Sequence, residues 1–246
     1  MSCLSPVFFT RQYRQGHTFL GRHRHAHSYL ALVLSGGYEE AGDRGGIRVR
    51  AGDVVMHGAY EAHLNRYDAD GAEVLNVALP QAFEPQTTVM RLRDPDAVVR
   101  VAERDPREAA AMVLSLMQPI LSNSPGCSTN WPHQLAAALK SNPDLRLRDW
   151  ARFHSLADET VSRGFQKVFG VSPSAFRAQL RARRAWRMVV GDHGSLCEIA
   201  AQTGFCDQVH MTREVRAITG RTPGQWRRHV KLIQDESTEA QAFSYA

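Results

Sequence analysis

The chain has 246 residues, 43% of them hydrophobic, enough for one large or two smaller globular domains and too apolar for a disordered chain. Its longest apolar run, YLALVL, falls far short of the roughly 18 residues of a spanning helix, so no membrane protein is expected. The net charge of +5 is unevenly placed: residues 1–143 hold 14 basic and 14 acidic residues, residues 144–232 hold 16 and 8, and three acids close the chain, so the back half is the part suited to a polyanion.

At the N-terminus, Arg11 and Arg14 are followed by no apolar segment of the secretory kind, and a cytoplasmic protein is expected. Cys3, Cys127, Cys197 and Cys206 form no C-x-x-C pair, which reads as reduced, mostly buried thiols; a redox sensor is the sharper alternative. Residues about 5–80 read as strands, with YLALVL and DVVMH as β-prone runs and SGG, AGDRGG and AGD as turns. From about residue 94, DPDAVVRVAERD and PREAAAMVLSLMQPIL read as helices with proline near each first turn. Ala109, Val113, Leu116 and Ile120 form a stripe at helical spacing, to pack on their own domain or to form a dimer interface. SNSPGCSTNWP (122–132) has linker composition, the region 133–232 is helical, and 233–246 is a polar tail expected to fray.

The basic half contains an internal repeat. Leu147, Trp150 and Ala151 match Leu196, Ile199 and Ala200 at one offset. After a one-residue insertion, Arg163, Gly170, Pro173 and Phe176 match Arg213, Gly220, Pro223 and Trp226. Each unit predicts a short helix, a tight turn (FHSLA or QTGFC, with Gly204 suited to positive φ) and a second helix ending near Gly170 or Gly220. Asp207 is the expected cap of the later second helix, while Ser172-Pro173 and Thr222-Pro223 each open the next helix as N-cap and first residue. Two helices joined this way form a helix-turn-helix, whose second helix can enter the major groove of DNA.

The GF-x-D turn, the TREV helix and the G-x-TP-x-x-W ending resemble the AraC/XylS family of bacterial transcription regulators over about residues 133–229. The resemblance implies seven helices, with the two units joined by a helix over about 173–190 and their recognition helices in adjacent major-groove segments. Carried onto this sequence, the base-facing positions are Glu159, Ser162 and Arg163, then Gln208, Val209, His210, Thr212 and Arg213. Arginine can bridge guanine O6 and N7, glutamine can pair with adenine, and glutamate can accept from cytosine. Lys167, Arg181, Arg184 and Arg216 suit phosphates. Val209-His210-Met211 and Val215 depart from the family's usual residues, so repacking is expected there.

Many relatives carry a cupin-like barrel in front, and the N-terminal half partly resembles it. His23-Arg24-His25, three residues, Tyr29, six residues and Gly36 keep the first cupin motif, with tyrosine in its glutamate slot. Gly52, five residues, Gly58-Ala59-Tyr60, two residues, His63 and then Tyr67 keep only the glycine and histidine of the second. The resemblance therefore implies His23, His25 and His63 as the surviving ligand slots for a divalent ion such as zinc or iron. His27 is set aside, because residues i, i+2 and i+4 of one strand span about 13 Å. Without an ion, His25, Tyr29, His57, Tyr60 and His63 are the polar groups of an effector pocket.

The expected fold is α+β in two domains. A cupin-like barrel with trailing helices (1–121) serves effector binding and dimerisation, and 122–132 is the linker. An all-α domain with two helix-turn-helix units (133–232) comes next, then the tail. The expected function is a sequence-specific transcription regulator, an activator, controlled by a small ligand and without catalytic activity. Its partners are a bipartite operator, a second copy of the chain, and RNA polymerase. A cupin-type metalloenzyme resembling a dioxygenase, with an appended helical module, is the alternative; a basic helical scaffold without sequence preference is the third reading.

Overall fold

The structure, a computed structural model, describes residues 9–79, 89–116, 130–191 and 194–232. The expected linker up to residue 129, Ile120, Cys3, Cys127 and the tail 233–246 lie outside these residues.

Seven strands form one antiparallel sheet: β1 (Phe9–Arg14), β2 (Phe19–Arg24), β3 (Tyr29–Gly42), β4 (Gly45–Arg50), β5 (Asp53–His57), β6 (Ala62–Ala78) and β7 (Val89–Arg91). β3 and β6 are the long ones, and they pair twice. Tyr29–Val33 runs against Val74–Ala78 and Tyr38–Gly42 against His63–Tyr67, with register shifts between. Gly36 (φ 67°) and Gly71 (φ 71°) allow this break, since a Cβ on Gly36 would lie 1.9 Å from the Gly71 carbonyl oxygen. Each half then recruits its own neighbours. β1 and β5 flank the first, while β2 and β4 flank the second, so the sheet folds over on itself as a small barrel.

Strand alternation sorts two apolar sets. Leu30, Leu32, Val54, Met56, Leu75 and Val77 face outward under helices α1 (Pro95–Ala102) and α2 (Pro106–Leu116). Tyr29, Ala31, Val33, Tyr38, Val55 and Tyr67 face the other way and pack together across the fold. Ala109 and Val113 are fully buried against the sheet, so that part of the helical stripe serves its own domain, while Leu116 remains 49% exposed.

The chain forms two compact units, Ser5–Pro173 and the residues from Ser174 onward. The first includes α3 (Trp131–Ser141), α4 (Leu147–Phe153) and α5 (Asp158–Phe169) together with the sheet. The second is built from α6 (Pro173–Val190), α7 (Leu196–Gln202), α8 (Gln208–Thr219) and helical residues 223–232. Composition alone points to a break near 122–132, but close packing ties α3 and α5 to the barrel. Gly46 of β4 lies under the His133 ring, where a Cβ would come within 2.0 Å, and Gly164 of α5 lies under Trp131, where it would come within 2.4 Å. A glycine in an open helix is improved by alanine by about 1 kcal/mol. At Gly164 the clash with a rigid indole reverses the sign, and Gly164→Ala is expected to cost about 1–2 kcal/mol. Urea unfolding would show it as a lower midpoint at unchanged slope; a raised midpoint would mean that the indole gives way.

Candidate functional site

The two helix-turn-helix units repeat down to their hydrogen bonds. His154 N–H donates to Trp150 O at 3.1 Å and Thr203 N–H to Ile199 O at 3.0 Å. Leu156 N–H donates to Ala151 O and Phe205 N–H to Ala200 O, both at 2.9 Å. Gly204 takes the expected positive φ of 75°, and Ser155, its counterpart, is held at φ 55° without a glycine. Gly170 and Gly220 end α5 and α8 in the same left-handed conformation, φ 75°. The extra residue of the second unit is Cys206, which is exposed, as is Cys197, so these two thiols are not the buried ones expected. Asp207 caps α8 by accepting from His210 N–H, whereas Ala157 starts α5 with no side-chain cap.

The inner faces match as well. Val161, Phe165 and Phe169 of α5 are buried, and so are Met211, Val215 and Thr219 of α8. Met211 and Val215, the departures from the family pattern, thus fill the core of the second unit. Thr219 replaces a phenylalanine ring with a hydroxyl that donates to Val215 O (2.8 Å) and accepts from Trp226 Nε1 (2.9 Å). Those bonds satisfy the buried hydroxyl.

The outer faces carry the base-facing positions. On α5, Glu159, Ser162, Arg163 and Lys167 are exposed, and Arg163 is paired with Glu159 one turn away. On α8, Val209, Arg213 and Arg216 are exposed, while Gln208, His210 and Thr212 are half-buried. Gln208 Oε1 accepts from the Cys197 thiol at 3.1 Å. On α6, Arg184 is exposed. Arg181, expected at a phosphate, is half-buried; it donates to Gly204 O at 3.0 Å and lies over the Phe205 ring, so it also braces the turn of the second unit.

The histidines divide differently from a single strand. β2 ends at Arg24, so His23 alone of the three is on it; His25 comes just after the strand, and His27 is exposed in the next bend. His27 is therefore excluded by chain direction, not by span along a strand. His23 is the register partner of His63 on β6, and Tyr29 that of His57 on β5. The His57–His63 and His23–His63 ring centroids are 4.3 Å apart, and His25–His63 are 5.5 Å apart. With Gln12, Arg14, Asn65 and Tyr67, His23, His25, Tyr29, His57 and His63 line a cavity of about 190 Å³ inside the folded sheet. Tyr60 is not among its lining residues; it is buried with positive φ, and its N–H donates to His25 O at 2.7 Å.

His23, His25 and His63 each bring one ring nitrogen within 4.8 Å of the others. Tyr29, in the carboxylate slot, is kept neutral by burial first and by Glu40 next, and its hydroxyl lies 3.3 Å from His63 Nε2. A carboxylate is close by all the same: Glu40, further along β3, places Oε2 at 3.5 Å from His57 Nε2. It lies outside the motif frame, and no spacing in the sequence marks it as a site residue. Burial, and after it the charge of Glu61, raises its carboxyl well above the usual range, against the opposing charge of Arg44. Burial holds His63 well below its ordinary value.

Burial, and next to it the charge of His23, lowers His25 to about 4. In the unfolded chain an ordinary histidine takes up its proton near pH 6.5, so there the unfolded state binds the proton first. The stability due to neutral His25 is complete above about pH 6.5 and is lost as pH falls toward about 4. Urea midpoints are expected to drop between pH 7 and pH 5, less steeply in His25→Gln; equal slopes would remove His25 as a cause.

A family model described as a helix-turn-helix domain matches residues 150–229, from within α4 to beyond α8. The HTH-type transcriptional regulator ExsA of Pseudomonas aeruginosa is 30% identical over 84 residues, 34% of this chain. The family model covers most of the duplicated helix-turn-helix, about a third of the chain. The match spans only 30% of ExsA, so this chain covers less than a third of that relative's length. Among solved structures, ToxT from Vibrio cholerae is similar at 7% identity and a TM-score of 0.41, over 91% of this chain and 97% of that one. The C-terminal domain of AraT, a response regulator from Geobacillus stearothermophilus, is similar at 22% identity and a TM-score of 0.36, over 40% and 84%. Among the described residues, no helix is long and apolar enough to cross a membrane.

Proposed function

We propose that this protein is a sequence-specific DNA-binding transcription regulator, an activator, whose hold on DNA is set by a small ligand in the histidine cavity. The observation that carries the reading is the family match over a duplicated helix-turn-helix whose second helices both keep polar and charged side chains outward. Glu159, Ser162, Arg163, Gln208, Val209, His210, Thr212 and Arg213 face the bases in this reading, and Lys167, Arg184 and Arg216 the phosphates. His25, Tyr29, His57 and His63 anchor the ligand, and no catalytic step is assigned to them. Residues 1–121 sense and dimerise, 133–232 bind a bipartite operator and contact RNA polymerase, and the protein works in the cytoplasm.

A route from cavity to DNA lies within the first unit. β2 carries His23 into the cavity and Arg22 toward α5, where Arg22 donates to Phe169 O at 3.5 Å. β6 carries His63 into the cavity, and its Arg66 donates to Val168 O at 3.3 Å and to Lys167 O. Two arginines thus hold the carbonyl end of α5 from strands that form the cavity wall. A ligand acts only if it binds two arrangements of these strands unequally. Selection of random duplexes by the full chain is expected to enrich a two-part motif; recovery of unenriched DNA would overturn the reading.

A further inference from the structure

We propose that the buried corner of β3, β5 and β6 beside the histidine cavity is a site for one divalent transition-metal ion, held by Glu40, His57 and His63. This set differs from the His23–His25–His63 frame of the sequence motif and shares one residue with it. The three residues come from three strands and each offers a donor atom within 4.8 Å of the others. Donors around a tetrahedral zinc ion at about 2.1 Å lie about 3.4 Å apart, so closure needs side-chain shifts of about an ångström.

Two buried polar atoms point to a missing partner. Glu40 is 6% exposed, and its Oε2 has no hydrogen-bond partner. The neighbouring Arg44, the cation with most influence on it, is paired with Glu61 at 2.7 Å. His63 is 2% exposed, and its Nδ1 has no hydrogen-bond partner. Its other nitrogen lies 3.3 Å from the Tyr29 hydroxyl. When Nε2 carries the proton and donates to that oxygen, Nδ1 presents a bare lone pair, the arrangement by which a second group fixes the tautomer of a ligating histidine. Tyr29 therefore belongs to the support of the site, although it occupies a ligand slot of the motif. One carboxylate and two neutral imidazoles suit zinc or ferrous iron and leave positions open. An ion also offsets the cost of a buried carboxylate.

The site concerns the cavity as a ligand site and does not depend on the DNA reading: an ion that binds yet leaves DNA affinity unchanged would count against sensing, not against the site. The test is calorimetric titration of the chelator-treated full chain with zinc chloride. One zinc per chain is expected, weakened by at least about 100-fold in Glu40→Gln and in His57→Ala, with fold checked by circular dichroism. In His23→Ala/His25→Ala the stoichiometry is expected to persist. No binding to the wild-type chain, or undiminished binding in folded Glu40→Gln, would overturn the proposal, as would loss confined to the His23/His25 variant. Anomalous diffraction at the zinc edge from the wild-type chain decides the ligands where a variant does not fold: density beside Glu40 supports the site, and density beside His23 and His25 alone refutes it.

Discussion

Arg22→Ala is expected to lower stability by about 3–5 kcal/mol, the cost of leaving one member of a buried ion pair alone. Arg22 and Asp43 are paired with side chains only 6% and 3% exposed. Asp43 is needed where it is: its Oδ2 accepts from Ala62 N–H at 3.0 Å, and its own N–H donates to Ala62 O at 2.9 Å, closing β3 onto the start of β6. Removing the guanidinium strands a carboxylate in that corner and also removes a hold on the end of α5. Arg22→Met combined with Asp43→Asn is expected to recover much of the loss, because the amide oxygen still accepts from Ala62 and no bare charge remains. Chemical denaturation of the single and double variants measures this. A loss under about 1 kcal/mol in Arg22→Ala, the range of exposed pairs, would mean that water reaches the pair.

The second large effect is expected on DNA. Arg213→Ala should weaken binding to the selected operator by about 1–3 kcal/mol, or about 5–150-fold, and relax preference at one base pair. Arg213 is exposed on α8, at the position that matches Arg163 in the first unit. Arg216→Ala, one turn further on the exposed face, should instead weaken all sequences alike and reduce the salt slope by about one. Fluorescence anisotropy on matched and single-base-changed duplexes at several salt concentrations separates the two. Uniform weakening in Arg213→Ala would reassign that residue to the backbone.

The helical half is legible in the sequence because its rules are local. The two apolar triplets at i, i+3 and i+4, the paired glycines and Asp207 each act within a turn or two of chain, and each is found doing what its spacing implies. The bracing contact of Arg181 is hidden for the opposite reason. A basic residue on a basic helix reads as a phosphate contact, while the carbonyl it meets, Gly204 O, belongs to a turn that comes after the helix has ended. Ser155 is hidden as well, since nothing in FHSLA marks a left-handed residue where its counterpart is glycine.

The sequence by itself determined the duplicated helix-turn-helix, the separation of charge and the strand-rich front, because periodicity, capping and turn chemistry are properties of neighbouring residues. Its motif frame offered His23, His25 and His63 as ligand slots. Only the tertiary structure decided that Glu40 reaches His57, that Tyr60 leaves the cavity, and that Arg22 and Arg66 grip the end of α5. Those contacts join residues far apart in the chain, and they exist because β3 and β6 break register at Gly36 and Gly71 and fold the sheet over its own face. No local pattern encodes which side chains meet inside such a fold, since that depends on where two long strands bend together.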